Sequence, residues 1–152
     1  MSNRSFDIRR YVSIFGRLMK MYYDRGLAEL EIGWGQQFYV EYLYEHPGAS
    51  QQEMVERIRV DKATLTKVIK KLVEIGYVHE TYDENNRRVK RLYLTPKAVP
   101  IVEEIKELHR SFYEAITPGL SEEQIDLAIK TLSQMTENLN HKVWHRMEET
   151  ND

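Results

Sequence analysis

Residues 61–76, DKATLTKVIKKLVEIG, present two different faces at once. Leu65, Ile69, Leu72 and Val73 recur at helical spacing and predict a buried stripe. Asp61 is a residue type that caps a helix start, and Gly76 suits the left-handed position that follows a helix end, so a helix is expected from Lys62 to Ile75. Its opposite face carries Thr64, Thr66, Lys67, Lys70 and Lys71 with no acidic residue among them. A hydroxyl-bearing, positively charged helix face suits a polyanion.

The flanks give that helix a context. Upstream, Ser50-Gln-Gln-Glu53 is a capping box, in which hydroxyl and carboxylate each satisfy a free backbone amide. It opens a short helix with Met54, Val55 and Ile58 inward, and Val60-Asp61 makes a tight break after it. Downstream, Tyr77 to Tyr82 and Val89 to Thr95 read as two strands around the turn-rich Asp83-Glu-Asn-Asn-Arg-Arg88. Helix, break, helix and basic hairpin is the order of a winged helix-turn-helix. Its second helix fits a major groove, and Arg87, Arg88 and Lys90 on the hairpin suit backbone or a narrow minor groove.

Further out, Tyr11, Phe15, Leu18 and Tyr22 mark one face of a long first helix from Phe6 to about Leu30. A second helix from Gln36 to Glu45 is stopped by His46-Pro47-Gly48. Beyond Pro96, Ile101, Ile105, Leu108 and Phe112 define a fifth helix that Pro118-Gly119 ends. A second capping box, Ser121-Glu-Glu-Gln124, starts a sixth with Ile125, Ile129, Leu132, Leu139 and Val143 on one side. The central unit leaves the outer helices little to pack on, so their stripes are expected to bury against a second copy. The expected class is therefore mainly α with a small β-hairpin wing: a winged helix-turn-helix core over 32–97, flanked by dimerisation helices over 1–31 and 98–152, in one domain over 1–152.

Composition narrows the function classes. The 152-residue chain carries a net charge of −2, yet Ser50 to Lys97 holds 11 Lys/Arg against 7 Asp/Glu while the remainder holds 11 against 17. A basic segment inside an acidic frame predicts double-stranded DNA as partner despite the overall sign. With no cysteine, disulfides, thiolate metal sites and thiol redox sensing are excluded. No apolar run approaches the roughly 20 residues of a membrane span, and no signal-like segment follows Met1, so a cytoplasmic protein without a membrane partner is expected. The chain offers no triad ordering, phosphate-cradling glycine loop, HExxH or nucleophilic cysteine, so neither an enzyme nor a cofactor is expected.

Ser50-Gln-Gln-Glu-Met-Val, Asp61 to Leu72, Gly76-Tyr-Val, the Asp83 to Arg88 turn and Leu94-Thr95-Pro-Lys together resemble the MarR family. The resemblance in element order runs over essentially the whole chain. It implies a two-fold dimer on a pseudopalindromic operator, usually repressing and often released by a small ligand. It also implies that Thr64, Thr66, Lys67 and Lys70 lie on the recognition helix and that Arg88 is the wing arginine. Asn86 stands where such wings often have Asp, which leaves Asp83 to supply the carboxylate that orients the arginine. Ala98 replaces a common glycine ahead of the fifth helix.

Each site carries a plainer reading. Taken singly, Lys67, Lys70 and Lys71 are solvated helix charges; it is their place after the turn, beside a basic wing, that makes Ser50, Lys62, Thr64, Thr66, Lys67, Lys70, Lys71, Arg87, Arg88 and Lys90 the candidate DNA contacts. The threonines have base and phosphate both open to them. Tyr22, Trp34, Phe38 and Tyr42 are core or dimer packing, or the walls of a pocket for a small aromatic or anionic effector whose carboxylate Arg17 or Arg25 pairs. His141 and His145 share a helix face at metal-compatible spacing, but two ligands are too few and no metal is expected. The rival function is a winged-helix protein-interaction module without specific DNA binding.

Overall fold

The computed structural model describes residues 3–149, with side chains described from 3 to 144. Among these residues the order is α1 (Arg4–Leu27), a 3-10 turn (Ala28–Leu30), α2 (Gln37–Glu45), β1 (Ala49–Ser50), α3 (Gln51–Ile58) and α4 (Lys62–Glu74). There follow β2 (Val78–Tyr82), β3 (Lys90–Leu94), α5 (Val99–Ile116) and α6 (Glu122–Glu149). The chain is mainly helical, as expected, and carries the hairpin. Met1–Phe112 and Tyr113–Asp152 form two compact units.

In the first unit the helix boundaries follow local chemistry. The Ser50 hydroxyl accepts from the Glu53 amide at 3.2 Å while the Glu53 carboxylate accepts from the Ser50 amide at 2.6 Å, completing the capping box. Asp61 caps α4 by accepting from the Thr64 amide at 2.8 Å. At the other end Gly76 has φ +84°, a left-handed value that glycine adopts without a Cβ penalty. The Tyr77 amide reaches the Leu72 carbonyl at 2.8 Å and the Gly76 amide the Val73 carbonyl at 3.0 Å, the paired bonds of a glycine C-cap. Lys97 adds a bond from Nζ to the Ile75 carbonyl at 2.6 Å. The recognition-type helix is thus tied at both ends by its own sequence neighbours and by the chain that follows the hairpin.

The sheet holds one strand more than the hairpin predicted. β3 is central, with β2 on one side, Glu80 opposite Leu92, and β1 on the other, Ala49 opposite Leu92. Two residues are too short a run to show a strand period, which is why β1 was not foreseen. β1 leads directly into α3, so the sheet fixes where α3 starts.

Leu27, Val40, Leu43, Met54, Leu65, Ile69, Leu72, Leu92, Val102 and Ile105 fill the core of this unit. Each fully buried side chain of this kind contributes about 1.5–3 kcal/mol relative to exposure. Val73 departs from the expected stripe and is 38% exposed. At 3.6 residues per turn it stands about 80° around the helix from Leu65, on the shoulder of the Leu65–Ile69–Leu72 face. Helix α1 also ends earlier than expected, because Glu31 takes a left-handed φ of 62° and its amide closes a tight turn on the Ala28 carbonyl at 3.2 Å. On α1 Tyr11, Phe15 and Leu18 are exposed. In the second unit Ser121 and Gln124 exchange the bonds of the second capping box, with Ser121 N to Gln124 Oε1 at 2.9 Å and Gln124 N to Ser121 Oγ at 3.2 Å. On α6 Ile125 is buried, whereas Ile129, Leu132, Leu139 and Val143 are exposed.

Candidate nucleic-acid interface

The two capped helices α3 and α4 and the hairpin enclose an open groove of about 590 Å³ lined by Ser50, Gln51, Gln52, Val55, Lys62, Thr66, Arg88, Val89 and Lys90. Five residues singled out in the sequence, Ser50, Lys62, Thr66, Arg88 and Lys90, therefore meet in one place although 40 positions separate the first from the last. The groove has a mixed floor of valine methyls and carboxamides and a rim of three cationic groups. Gln51 and Gln52 were not foreseen. Their signal lay in the capping box itself, since the residues that follow a cap form the exposed first turn of the helix.

The remaining candidates divide by position. Thr64, Lys67 and Lys70 are exposed on α4, and Arg87 is exposed on the hairpin turn, lining a shallow hollow with Tyr82, Asp83 and Glu84. Lys71 does not join them: it is half-buried, and its Nζ donates to Gln36 Oε1 at 2.8 Å, a contact with the loop ahead of α2. Gln36 Oε1 also accepts from the Gly33 amide at 2.9 Å, so one carboxamide oxygen joins that loop to α4. Lys90 pairs with Glu80 across the sheet at 3.1 Å.

The hydroxyls of α4 are committed within the helix. Thr64 Oγ1 donates to Asp61 Oδ2 at 2.7 Å, and Thr66 Oγ1 donates to the Lys62 carbonyl at 2.8 Å. The Thr64 amide and then its hydroxyl hold the Asp61 carboxyl below the usual carboxylate range. At the hairpin turn Asp83 accepts from the Asn85 amide at 2.9 Å, the Asn86 amide at 3.1 Å and Arg91 Nε at 3.0 Å. These bonds, the Asn85 amide first, also hold its carboxyl low. The expectation that Asp83 orients the wing arginine is corrected here. Asp83 holds Arg91, one strand residue from Lys90, while the side chain of Asn86 accepts from the backbone amide of Arg88 at 3.1 Å and leaves its guanidinium exposed.

The aromatic candidates form one chain and one outlier. Tyr22 lies 5.5 Å from Phe112, Phe112 5.2 Å from Tyr23, Tyr23 4.7 Å from Trp34 and Trp34 5.5 Å from Phe38, all ring to ring. Tyr42 stacks instead on His46 at 4.4 Å. Arg17 is exposed on α1 and donates to Ser13 Oγ at 2.7 Å. Under the aromatic chain Tyr23 Oη lies 2.7 Å from His109 Nδ1 and His109 Nε2 lies 2.7 Å from Glu41 Oε1, a three-residue link between α1, α5 and α2 that no local pattern announced. Among the described residues no group of three or more His, Asp or Glu is placed to hold a metal; the side chain of His145 lies outside them. No described helix is long and apolar enough to cross a membrane.

Comparison with known proteins bears on this arrangement. The sequence model of the MarR family matches residues 33–90, which contain α2, α3, α4, β2 and the hairpin turn. The HTH-type transcriptional regulator YybA of Bacillus subtilis (strain 168) is 26% identical over 133 residues, covering 88% of this chain and 89% of its own. A MarR protein of Peptoclostridium difficile superimposes with a TM-score of 0.86 at 29% identity, over 96% of this chain and 92% of that one. A MarR-family regulator of Listeria monocytogenes, solved with 26mer DNA, shares the fold with a TM-score of 0.81 at 22% identity, over 92% of this chain and 93% of that one. With the helix order, the hairpin and the cationic groove already in place, residues 33–90 match the MarR family and the chain is similar over most of its length to MarR-type regulators, which supports a DNA-binding transcriptional regulator.

Proposed function

We propose that the chain is a ligand-responsive repressor that binds a pseudopalindromic operator as a homodimer, with residues 32–97 as the DNA-binding part and 1–31 and 98–152 as dimerisation helices. The observation that carries the DNA reading is the groove that gathers Ser50, Lys62, Thr66, Arg88 and Lys90 beside the exposed Thr64, Lys67 and Lys70. A helix with such a face fits the roughly 12 Å major groove of B-DNA, and Arg87 and Arg88 at the hairpin tip follow the flanking backbone. Winged-helix interaction modules tend to lose the positive face, which this groove keeps in Lys62, Arg88 and Lys90. Two copies related by a two-fold axis set two α4 helices about one helical turn of DNA apart.

The dimer reading rests on apolar surface. Phe15 and Leu18 on α1 and Leu132 and Leu139 on α6 are each more than two-fifths exposed in the single chain, and a second copy removes that surface from water. The Tyr22, Trp34 and Phe38 rings are the walls proposed for a small aromatic or anionic effector, with Arg17 or Arg25 to pair its charge; Tyr42 belongs to the His46 stack and leaves this group. An effector releases DNA only if it binds the two arrangements of the reading helices unequally.

Fluorescence anisotropy on the duplex upstream of the protein's own gene, against a scrambled duplex, tests the reading. Preferential binding at a stoichiometry of two chains per duplex supports it. No binding to either duplex at low salt favours the interaction module.

A further inference from the structure

The hydroxyl-bearing residues in and beside the groove, Ser50, Thr66 and Thr64, differ in what they have left to offer DNA. A threonine hydroxyl owns one proton and two lone pairs. A carboxylate and a backbone carbonyl accept only, so Thr64 necessarily gives its proton to Asp61 Oδ2 and Thr66 gives its proton to the Lys62 carbonyl. Both threonine oxygens consequently face outward as acceptors. Phosphate oxygens are acceptors too, and two acceptors do not bond. In the major groove the base-edge donors are the N6 amino group of adenine and the N4 amino group of cytosine.

From this polarity we infer that Thr64 and Thr66 are specificity-determining residues that read amino groups of adenine or cytosine, and are not phosphate contacts. The inference deepens the regulator reading above and rests on it. Asp61 reinforces it at Thr64: an ionised carboxylate whose two oxygens both hold that residue repels a phosphate and so favours a base edge there. Ser50 has the opposite polarity. Its oxygen accepts from the Glu53 amide, the cap leaves its proton unspent, and it lines the groove with Lys62, Arg88 and Lys90, the setting for a hydroxyl that donates to a phosphate oxygen. Hydroxyl groups of nearly the same chemistry are thereby divided between reading and positioning by the bonds each makes inside its own helix.

The test uses the full chain and a duplex that it selects from a random library. Within one half-site, each adenine is replaced in turn by purine, which lacks the N6 amino group, and each cytosine by 2-pyrimidinone, which lacks the N4 amino group. The expected result is that removal of one amino group per threonine weakens wild-type binding about fivefold, in line with the loss of one hydrogen bond. Thr64→Val and Thr66→Val lose a similar factor on the natural duplex and nothing more when their own amino group is removed. Thr64→Ser and Thr66→Ser, which keep the hydroxyl, behave as wild type. Wild-type indifference to every amino deletion overturns the inference, as does full retention of that sensitivity in the valine variants. So does a valine variant that instead becomes insensitive to methylphosphonate substitution at a position where the wild type is sensitive. Each of these leaves sequence-selective binding intact; a wild type that selects no sequence from the library overturns the regulator reading together with the inference.

Discussion

Arg91 Nε donates to Asp83 at 3.0 Å, and Arg91 Nη1 lies 3.4 Å from the Gly48 carbonyl and 3.5 Å from Glu53 Oε2, so one guanidinium joins the hairpin turn to the capping box of α3. The wing and the start of the helix-turn-helix are therefore held in register by a charge that is already neutralised and contributes little to DNA attraction. Asp83 is the pivot, since the Asn85 and Asn86 amides use it as well.

Acid should loosen this turn late. The folded Asp83 carboxyl lies below its ordinary value because of the Asn85 amide and then Arg91. A depressed carboxyl contributes stability that is present above its unfolded value of about 3.9 and is lost as pH falls through the folded one. In an NMR titration the Asn85 and Asn86 amide shifts are expected to hold steady from neutrality to about pH 4 and to move below it. Asp83→Ala is expected to shift both amides at neutral pH and to remove that titration. Amides that already move near pH 5 in the wild type would contradict the bonding described.

Lys71 should behave unlike its neighbours on α4. Its ammonium is bound to Gln36 rather than exposed, so Lys71→Ala is expected to cost about 1 kcal/mol in urea unfolding, as for one hydrogen bond. The dependence of DNA affinity on salt should remain that of the wild type. A flattened salt dependence in this variant would place Lys71 on phosphate.

The core makes a paired prediction on α4. Leu72 is fully buried and Val73, the next residue, is 38% exposed. Leu72→Ala is expected to destabilise the chain by about 3 kcal/mol and Val73→Ala by well under 1 kcal/mol, relative magnitudes that chemical denaturation resolves. Equal losses would mean that the exposed shoulder of α4 is covered.

Gly48 makes a backbone prediction. It has φ +83°, and an added Cβ would stand 2.9 Å from the Tyr93 hydroxyl oxygen. Gly48→Ala is expected to cost about 2 kcal/mol, from the left-handed backbone and the contact together. Adding Tyr93→Phe should recover the share due to the hydroxyl oxygen and leave that of the backbone and of the ring carbons at 3.2 and 3.3 Å. No recovery would assign the cost to φ and those ring carbons.

What the sequence made legible was local. The Ser50–Glu53 box, the Asp61 cap, Gly76 and the Leu65–Ile69–Leu72 stripe each declare themselves within a few residues, and each appears in the structure. The groove was legible by type, because its basic residues follow a turn and a hairpin in a fixed order. What escaped were pairings between distant positions: Arg91 with Glu53, Lys71 with Gln36, and His109 with Tyr23 and Glu41. An isolated charge carries no local sign of the partner that folding brings to it. Lys71 was accordingly read as part of the positive face when its ammonium is held by the Gln36 carboxamide.

The central claim is that the α4 and wing cations meet phosphate, and the slope of log Kd against log salt tests it most directly. The wild type, Lys67→Ala, Lys70→Ala and Arg88→Ala would be measured on one duplex between low and physiological salt. Each variant is predicted to bind more weakly with a slope shallower by about one, the signature of one lost phosphate contact. Four superimposed slopes would contradict the account and move the DNA interface away from this groove.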